Sequence, residues 1–333
     1  MSSVEIDVLQ RLPSLAGLPR AQLAEALPLM VPFSLGRDEV LIQKGDIDDA
    51  LLLILEGEVS IQVGEPALEV ARGRTGDVLG ETALFRPAWR REATLRTATP
   101  CRVVLLDGAR ISALRSAESP VLAALERYAL ASIGRRLRRV ALQAPPEVLE
   151  TRGAAPKASL FDRLNGWLRV GSGVHSARRP PAALDVLTAA ENNLSPAALE
   201  LLAGSFVARA VRPADVVVCT ADPKPPLVMV SAGLVEQRDP RGGATEQRVV
   251  GRMGPGALLN PLSIVHGHVP LARAVAVDAG WVHVLPRAAA QELLSSPGTA
   301  GSALRSLLYG ELFVELVRRN TAWHQRERDR VAA

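Results

Sequence analysis

The sequence predicts a mainly β protein with helices, an α+β fold of two tandem antiparallel β jelly-roll barrels. Each barrel is expected to have short helices before it and a long helix after it. Three observations support this fold class: short stretches with strand periodicity, turn signals between them, and a later second copy of the same pattern. The length of 333 residues also exceeds that of a usual single domain.

The first copy opens with helical periodicity over residues 4–30 and changes to strand patterns from about Val31. Apolar residues then alternate with polar ones, for example over Val59–Val63, and turn signals such as Gly45-Asp46 and Gly76-Asp77 separate the strands. Many short strands joined by turns are typical of a small antiparallel barrel or jelly roll.

The second copy is recognised by internal repetition. Asp215–Cys219 repeats Glu39–Gln43 at an offset of 176, and Met253–Gly256 repeats Gly73–Gly76 at an offset of 180. Residues 184–206 mirror the opening helices. The chain is therefore interpreted as a tandem duplication.

Three regions follow from this repetition. Residues 1–143 form the first domain, and residues 184–333 form the second. Between them, residues 144–183 are rich in Pro, Gly, Ala and Arg and predict a linker, interrupted by a short amphipathic helix over Leu160–Val170.

Composition points to a globular protein. The chain is 48% hydrophobic and 22% charged, and its apolar runs are shorter than the roughly 18 residues that a membrane span needs. The first residues are acidic rather than basic and apolar, so a cytoplasmic location is expected. Three lysines against 36 arginines suggest a GC-rich bacterial genome. Cys101 and Cys219 are expected to be buried free thiols.

The most informative motif is Gly76-Asp-Val-Leu-Gly80-Glu81-Thr-Ala-Leu-Phe85, followed by Arg90-Arg91-Glu92-Ala93-Thr94. It resembles the phosphate-binding cassette of cyclic nucleotide-binding domains, whose pattern is G-D-x-F-G-E-x-A-L, a short loop, and R-x-A-T. The resemblance covers about residues 10–142 and includes the glycines at positions 45 and 57.

The resemblance implies a role for each matching residue. Glu81 would accept the ribose 2′-hydroxyl and Arg91 would bind the cyclic phosphate, beside a short helix that starts at Glu81. The implied ligand is cyclic AMP, cyclic GMP or cyclic di-GMP. The implied site comprises Gly80, Glu81, Thr82, Ala83, Arg91, Glu92 and Ala93.

Glu92 departs from the family pattern, which has a small or hydroxyl-bearing residue there. A carboxylate about 4 Å from the phosphate would cost on the order of 4 kcal/mol at an effective dielectric of 20. Alternatively Glu92 points outward, pairs with Arg90 or Arg91, or accepts the amino hydrogens of a guanine. A further alternative is an empty pocket in which Glu81 and Arg91 form an ion pair.

The cassette is degenerate in the second copy. The offset of 180 places Asn260, Pro261 and Leu271 where the glycine, glutamate and arginine stand, and Arg273 lies two positions late. A proline and a leucine cannot bind a ribose and a phosphate.

Catalytic and metal motifs are not apparent in the sequence. His266 and His268 could share a metal, but no neighbouring Cys, Asp or Glu completes a ligand set, so no metal is expected. No serine or cysteine stands in a nucleophile motif, and the protein is not expected to be an enzyme.

These features predict a non-catalytic bacterial regulatory protein that senses a cyclic nucleotide through its first domain and signals to a partner protein. The alternative is a ligand-free scaffold that uses both barrels as interaction surfaces. Apolar stripes on helices 120–142 and 303–330 predict self-association or partner docking there. The linker is too short for a winged helix-turn-helix, so sequence-specific DNA binding is not expected.

Overall fold

A computed structural model of the chain describes residues 6–63, 67–86, 89–143, 149–152, 179–189, 194–239 and 248–332. The helix predicted over residues 160–170 lies outside these ranges. Contacts between residues divide the chain into two units: unit 1 is Met1–Leu130 with Ser295–Arg305, and unit 2 is Ala131–Leu294 with Ser306–Ala333. The first of these divisions falls after Leu130, within the first domain that the sequence predicts. The domain boundary after residue 143 remains a prediction from the sequence.

The described residues of unit 1 form eight strands, with helices before, between and after them. The helices are α1 (Ile6–Arg11), α2 (Arg20–Ala26), α3 (Thr82–Phe85), α4 (Gly108–Ser116) and α5 (Pro120–Gln143), with a 3-10 turn at Leu27–Leu29. The strands are β1 (Val31–Leu35), β2 (Val40–Ile42), β3 (Leu51–Glu56), β4 (Glu58–Val63), β5 (Leu68–Arg74), β6 (Val78–Leu79), β7 (Thr94–Thr97) and β8 (Cys101–Leu106).

These strands form two antiparallel sheets, with the orders β1-β8-β3-β6 and β2-β7-β4-β5. Apolar side chains from both sheets share one core, in which Ile54 and Val59 are fully buried. Alternation along β7 shows the cause, because Leu95 and Thr97 are buried while Thr94 and Arg96 are partly exposed. The predicted jelly roll is confirmed as two packed open sheets rather than one closed barrel.

Unit 2 repeats this arrangement. Its helices are α6 (Ala183–Ala189), α7 (Pro196–Ala203), α8 (Pro261–His266), α9 (Arg287–Ser295) and α10 (Thr299–Ala332). Its strands are β9 (Leu149–Arg152), β10 (Val207–Val211), β11 (Val216–Val218), β12 (Leu227–Ala232), β13 (Val235–Arg238), β14 (Val249–Met253), β15 (Leu258–Leu259), β16 (Arg273–Ala276) and β17 (Gly280–Leu285). The second half of α5 belongs to this unit, and α10 up to Arg305 belongs to unit 1.

The sheets of unit 2 have the orders β10-β17-β12-β15 and β11-β16-β13-β14-β9. Strand β9 lies in the segment predicted as a linker and pairs in parallel with β14, so that segment also contributes an edge strand.

Strand register confirms the duplication. Leu52 pairs with Leu79 in unit 1, and Val228 pairs with Leu259 in unit 2, which reproduces the offsets of 176 and 180. Farther along, Thr97 pairs with Val59 of β4, and Ala276 pairs with Val235 of β13. Val59 and Val235 are 176 positions apart and correspond to each other, so Thr97 corresponds to Ala276. The offset has then fallen to 179, so the second copy has lost one residue after its cassette.

Several sequence expectations meet the structure here. Cys101 is buried as expected, but Cys219 is exposed because it follows the end of β11, so the expectation of two buried thiols is wrong for Cys219. No helix of the described residues is long and apolar enough to cross a membrane. Most of both apolar helix stripes is already buried within the chain, at Leu130, Ile133, Leu137, Leu304, Leu308, Leu312 and Phe313.

Candidate functional site

The cassette turn of unit 1 is built on a left-handed glycine. Strand β6 ends at Leu79, and Gly80 adopts φ +75°. A Cβ at Gly80 would lie 2.7 Å from the Ala50 carbonyl oxygen and 3.1 Å from Nη1 of Arg91, so only glycine fits this approach. The chain then enters α3, with Glu81 as its N-cap, which confirms the short helix that the sequence predicts.

Arg91 is the buried cation of the site. Its side chain is only 7% exposed. Nε donates to Asp48 at 3.0 Å, and Nη2 donates both to the other Asp48 oxygen and to the Ala50 carbonyl at 2.6 Å. Nη1 faces the Gly80 carbonyl at 3.4 Å, which is longer than an ordinary hydrogen bond. The carboxylate therefore fixes one edge of the guanidinium and leaves Nη1 directed at the glycine turn.

Asp48 is the residue of this site that sequence reasoning missed. The hydrogen bond from Arg91 holds the pKa of Asp48 below its usual value, against the opposing effect of partial burial. The expected alternative of a Glu81–Arg91 ion pair is not what the structure shows, because Arg91 pairs with Asp48. The only sequence signal was the Asp46-Ile-Asp48-Asp49 run before β3, which carries no spacing rule that links it to position 91.

Thr82, Ala83 and Glu81 lie together at the start of α3. The Ala83 amide donates to the Gly80 carbonyl at 3.0 Å, so this amide is used within the turn. Ala83 is buried, whereas Glu81 and Thr82 are half-buried beside Gly80. The structure thus brings Gly80, its neighbours in α3 and Arg91 to one place.

Glu92 points away from this place. It is exposed, while Arg91 before it is buried, and its Oε1 lies 3.4 Å from the indole Nε1 of Trp89. The guanidinium of Arg86 lies over the same indole ring, 4.1 Å from its centroid. Of the alternatives that the sequence left open, the outward orientation is the observed one. Ala93 is half-buried and leads into β7.

The corresponding turn of unit 2 is satisfied without an arginine. Asn260 takes the glycine position with φ +70°, and its Nδ2 donates to the Pro226 carbonyl at 3.0 Å. Pro226 corresponds to Ala50, whose carbonyl is bound by Arg91 in unit 1. The side-chain amide of Asn260 therefore replaces the guanidinium as the donor to this carbonyl.

The arginine position of unit 2 is Pro270 rather than Leu271. The offset of 179 at β16 assigns Pro270 to the position of Arg91, and both are buried. Leu271 is 44% exposed and corresponds to the exposed Glu92. Arg273 takes the position of Thr94 on the strand. The residue lost after the cassette explains why the counterpart of Arg91 is Pro270 and not Leu271. With either residue, unit 2 has no arginine at this position.

His266 and His268 end the degenerate cassette. Their rings stack at 6.1 Å, and among the described residues no group of three His, Cys, Asp or Glu side chains is arranged to hold a metal. Burial lowers the pKa of His266, and the positive charge of Arg135 adds to this effect. The lowered pKa favours the neutral form of this imidazole.

A buried ionic network connects the cassette of unit 1 to its helices. Glu126 of α5 is fully buried and accepts from Arg115 at 3.0 Å and from Arg305 at 2.7 Å. Arg115 also donates to the Leu84 carbonyl of α3 at 2.7 Å. Two residues farther along α5, the Tyr128 hydroxyl donates to Asp77 at 2.9 Å, three residues before Gly80. Both ends of the cassette are therefore tied to α5.

Comparison with known sequences matches part of unit 1 to a family. Residues 32–118 match the model of the cyclic nucleotide-binding domain. A protein of Rhodopseudomonas palustris, named as a potassium channel protein, is 28% identical over 135 residues, which are 40% of this chain and 32% of that protein. The chain thus spans about a third of the length of this relative.

Three solved structures that are similar to the chain match different shares of its length. The regulatory domain of Toxoplasma gondii PKA with cAMP is 14% identical over 86% of this chain and 89% of that one, with a TM-score of 0.30. A cyclic nucleotide-binding domain from Methylobacillus flagellatus is 20% identical over 43% and 84%, with a TM-score of 0.37. The N-terminal domain of a Streptomyces coelicolor transcriptional regulator is 28% identical over 41% and 94%, with a TM-score of 0.34.

These TM-scores are low, so the assignment depends on the sequence match and on the geometry of the site. The matched segment contains the left-handed glycine, the short helix and the buried arginine at the positions of the motif. Residues 32–118 belong to the cyclic nucleotide-binding domain family.

Proposed function

We propose that unit 1 binds a cyclic nucleotide at the cassette and that the chain is a non-catalytic bacterial regulatory protein. The observation that carries this proposal is the state of Arg91. A guanidinium has five donors, and the contacts with Asp48 and Ala50 occupy Nε and Nη2. Among the residues that the structure describes, Nη1 has only the long contact with Gly80, so it is the donor proposed for a phosphate oxygen.

The glycine turn supplies the room for that phosphate. Because Gly80 lacks a Cβ, the backbone comes close to Nη1, and a ligand at this point meets the guanidinium and the start of α3 together. Glu81, half-buried beside it, is the residue that would accept the ribose 2′-hydroxyl. Glu92 faces outward, so its charge does not oppose the phosphate.

The network around Glu126 supplies a route from the cassette to α5. A ligand that moves α3 changes the position of the Leu84 carbonyl, to which Arg115 is bound. Arg115 shares Glu126 with Arg305, so the shift reaches α5 and the first turns of α10. The output is proposed to be a change of helix position that a partner protein in the cytoplasm reads, a population shift between two states.

Calorimetric titration of the full chain with cyclic AMP, cyclic GMP and cyclic di-GMP tests this proposal. At least one nucleotide should bind with one site per chain, and Arg91→Ala should weaken it by at least about 2 kcal/mol because the phosphate loses its charged partner. Arg90→Ala is the matched control, since that exposed arginine donates to the Gly45 carbonyl instead.

If none of the three nucleotides binds, or if Arg91→Ala binds as tightly as the wild type, the cassette is not a nucleotide site. The alternative of a ligand-free scaffold would then be favoured. The degenerate cassette of unit 2 is the observation that supports that alternative, because one of the two copies already has this fold without the phosphate-binding arginine.

A further inference from the structure

Unit 2 contains a cavity of about 360 Å³ at the segment that corresponds to the cassette of unit 1. Asn260 and Pro270, the counterparts of Gly80 and Arg91, both line it. Much of the remaining wall is apolar and includes Leu137 of α5, Leu259 of β15 and Leu312 of α10. A largely apolar pocket with a few polar groups is the usual form of a small-molecule site.

The cavity remains open, although the residues that would bind a phosphate are absent from it. Pro270 cannot bind an anion, and the Asn260 amide already satisfies the Pro226 carbonyl at 3.0 Å. The Pro226 carbonyl therefore has a donor without a guanidinium.

The charged side chains that line the cavity are mostly acidic. Asp239, Glu311 and Glu315 contribute carboxylates, and Arg319 is the single cation among the lining residues that the structure describes. Arg319 Nε donates to Glu315 at 2.5 Å, so its charge is shared with that carboxylate. Asp239 and Glu315 are only 7% and 9% exposed. Carboxylates accept hydrogen bonds and repel a phosphate.

We propose that this cavity is a second ligand site, and that its ligand is a largely apolar amine that is protonated at neutral pH. The apolar walls would cover the body of such a molecule, and its ammonium group would donate to the carboxylates. This proposal goes beyond the nucleotide site of unit 1 and does not depend on it.

Two probes with the same apolar body and opposite charge test the proposal: 1-adamantylamine and 1-adamantanecarboxylate, titrated into the full chain by calorimetry. The amine should bind saturably, with a dissociation constant at least about tenfold lower than that of the carboxylate, a difference of about 1.4 kcal/mol. Arg91→Ala should leave amine binding unchanged, which separates this site from the one in unit 1.

Two variants locate the site. Ala272→Trp places a large side chain in the cavity wall and should abolish amine binding, with thermal melting as the check on folding. Asp239→Asn removes a negative charge at nearly constant volume and should weaken amine binding at least about tenfold. It should not weaken carboxylate binding, because it removes a charge that repels that probe. Equal binding of both probes, binding of neither, or amine binding that is unaffected by Asp239→Asn would overturn the proposal.

Discussion

Asp48 and Arg91 form the most consequential pair of single residues in unit 1. A guanidinium that is 7% exposed needs an anion, and the Asp48 carboxylate, itself 37% exposed, supplies it. The pair also sets the direction of Nη1, which the nucleotide proposal uses. In the nucleotide proposal, Asp48 is therefore a positioning residue for Arg91.

Asp48→Asn should destabilise unit 1 by about 1–3 kcal/mol, less than for a fully buried pair because Asp48 is partly exposed. Because the pKa of Asp48 is lowered in the folded state, its contribution is present above the unfolded pKa. That contribution is lost as the pH falls through the folded value. Chemical denaturation at neutral pH measures the change, with Asp46→Asn as the control two residues away. Equal stability of both variants would show that the ion pair contributes nothing.

Glu92→Ser should leave the affinity for any cyclic nucleotide within about twofold, since the carboxylate faces Trp89 and solvent. Calorimetric titration of wild type and variant gives the comparison. A substantial gain in affinity would mean that Glu92 turns toward the phosphate when the ligand binds.

The sequence correctly predicted Gly80, the helix at Thr82–Phe85 and the turn that joins them, because glycine spacing records backbone geometry directly. It did not predict which way Glu92 points or that Asp48 binds Arg91. The Asp48 contact depends on how a loop 43 residues earlier folds back onto the cassette, which no local pattern records. The direction of Glu92 accompanies its contact with Trp89, which no repeat or motif predicts.

Among the elements, α5 is the helix to which both ends of the cassette are connected by hydrogen bonds. Glu126 holds Arg115 and Arg305 from inside the protein, and Tyr128 holds Asp77. Two arginines on one buried carboxylate make a compact network in which each group depends on the others. The helix is thus bound to the cassette through polar contacts as well as apolar packing.

Glu126→Gln should destabilise the protein by about 3–5 kcal/mol, because it leaves Arg305, which is 1% exposed, without its charged partner. Glu25→Gln, an exposed glutamate on α2, should change stability by less than about 0.5 kcal/mol. Urea denaturation measures both. A small effect of Glu126→Gln would contradict the coupling assigned to this network.

Element order and pairing followed well from the sequence, since the repeat offsets of 176 and 180 recur in the strand register. The one-residue loss after the second cassette could not be detected, because an offset shift within a loop has no periodic signal. Strand β9 was also missed, since its four residues lie in a segment whose composition is typical of a linker.

For the whole molecule, the structure bears on whether the apolar stripes of helices 120–142 and 303–330 mediate self-association. Helical periodicity shows that a face is buried but not which surface covers it. The apolar residues of both stripes are largely covered by the chain itself, and on the described part of α10 the exposed large apolar residues are Val314 and Val317. Self-association through these stripes therefore has less support than the sequence alone gave it.

We expect light scattering to give a monomer of 35.4 kDa. Leu308→Glu, which buries a charge at a fully covered position, should lower thermal stability strongly, whereas Val317→Glu should not. A wild-type dimer that Val317→Glu converts to a monomer would contradict this expectation and locate an interface on α10.

Unit 1 is proposed to bind a cyclic nucleotide at the cassette, and unit 2 is proposed not to bind one. Hydrogen–deuterium exchange of the full chain, with and without a saturating concentration of the nucleotide that binds in the calorimetric titration, tests this proposal. Exchange should slow in the segment from Val78 to Thr94, should be unchanged over Leu258–Arg273, and should lose its ligand dependence in Arg91→Ala. Slower exchange over Leu258–Arg273, or no ligand dependence from Val78 to Thr94, would contradict it.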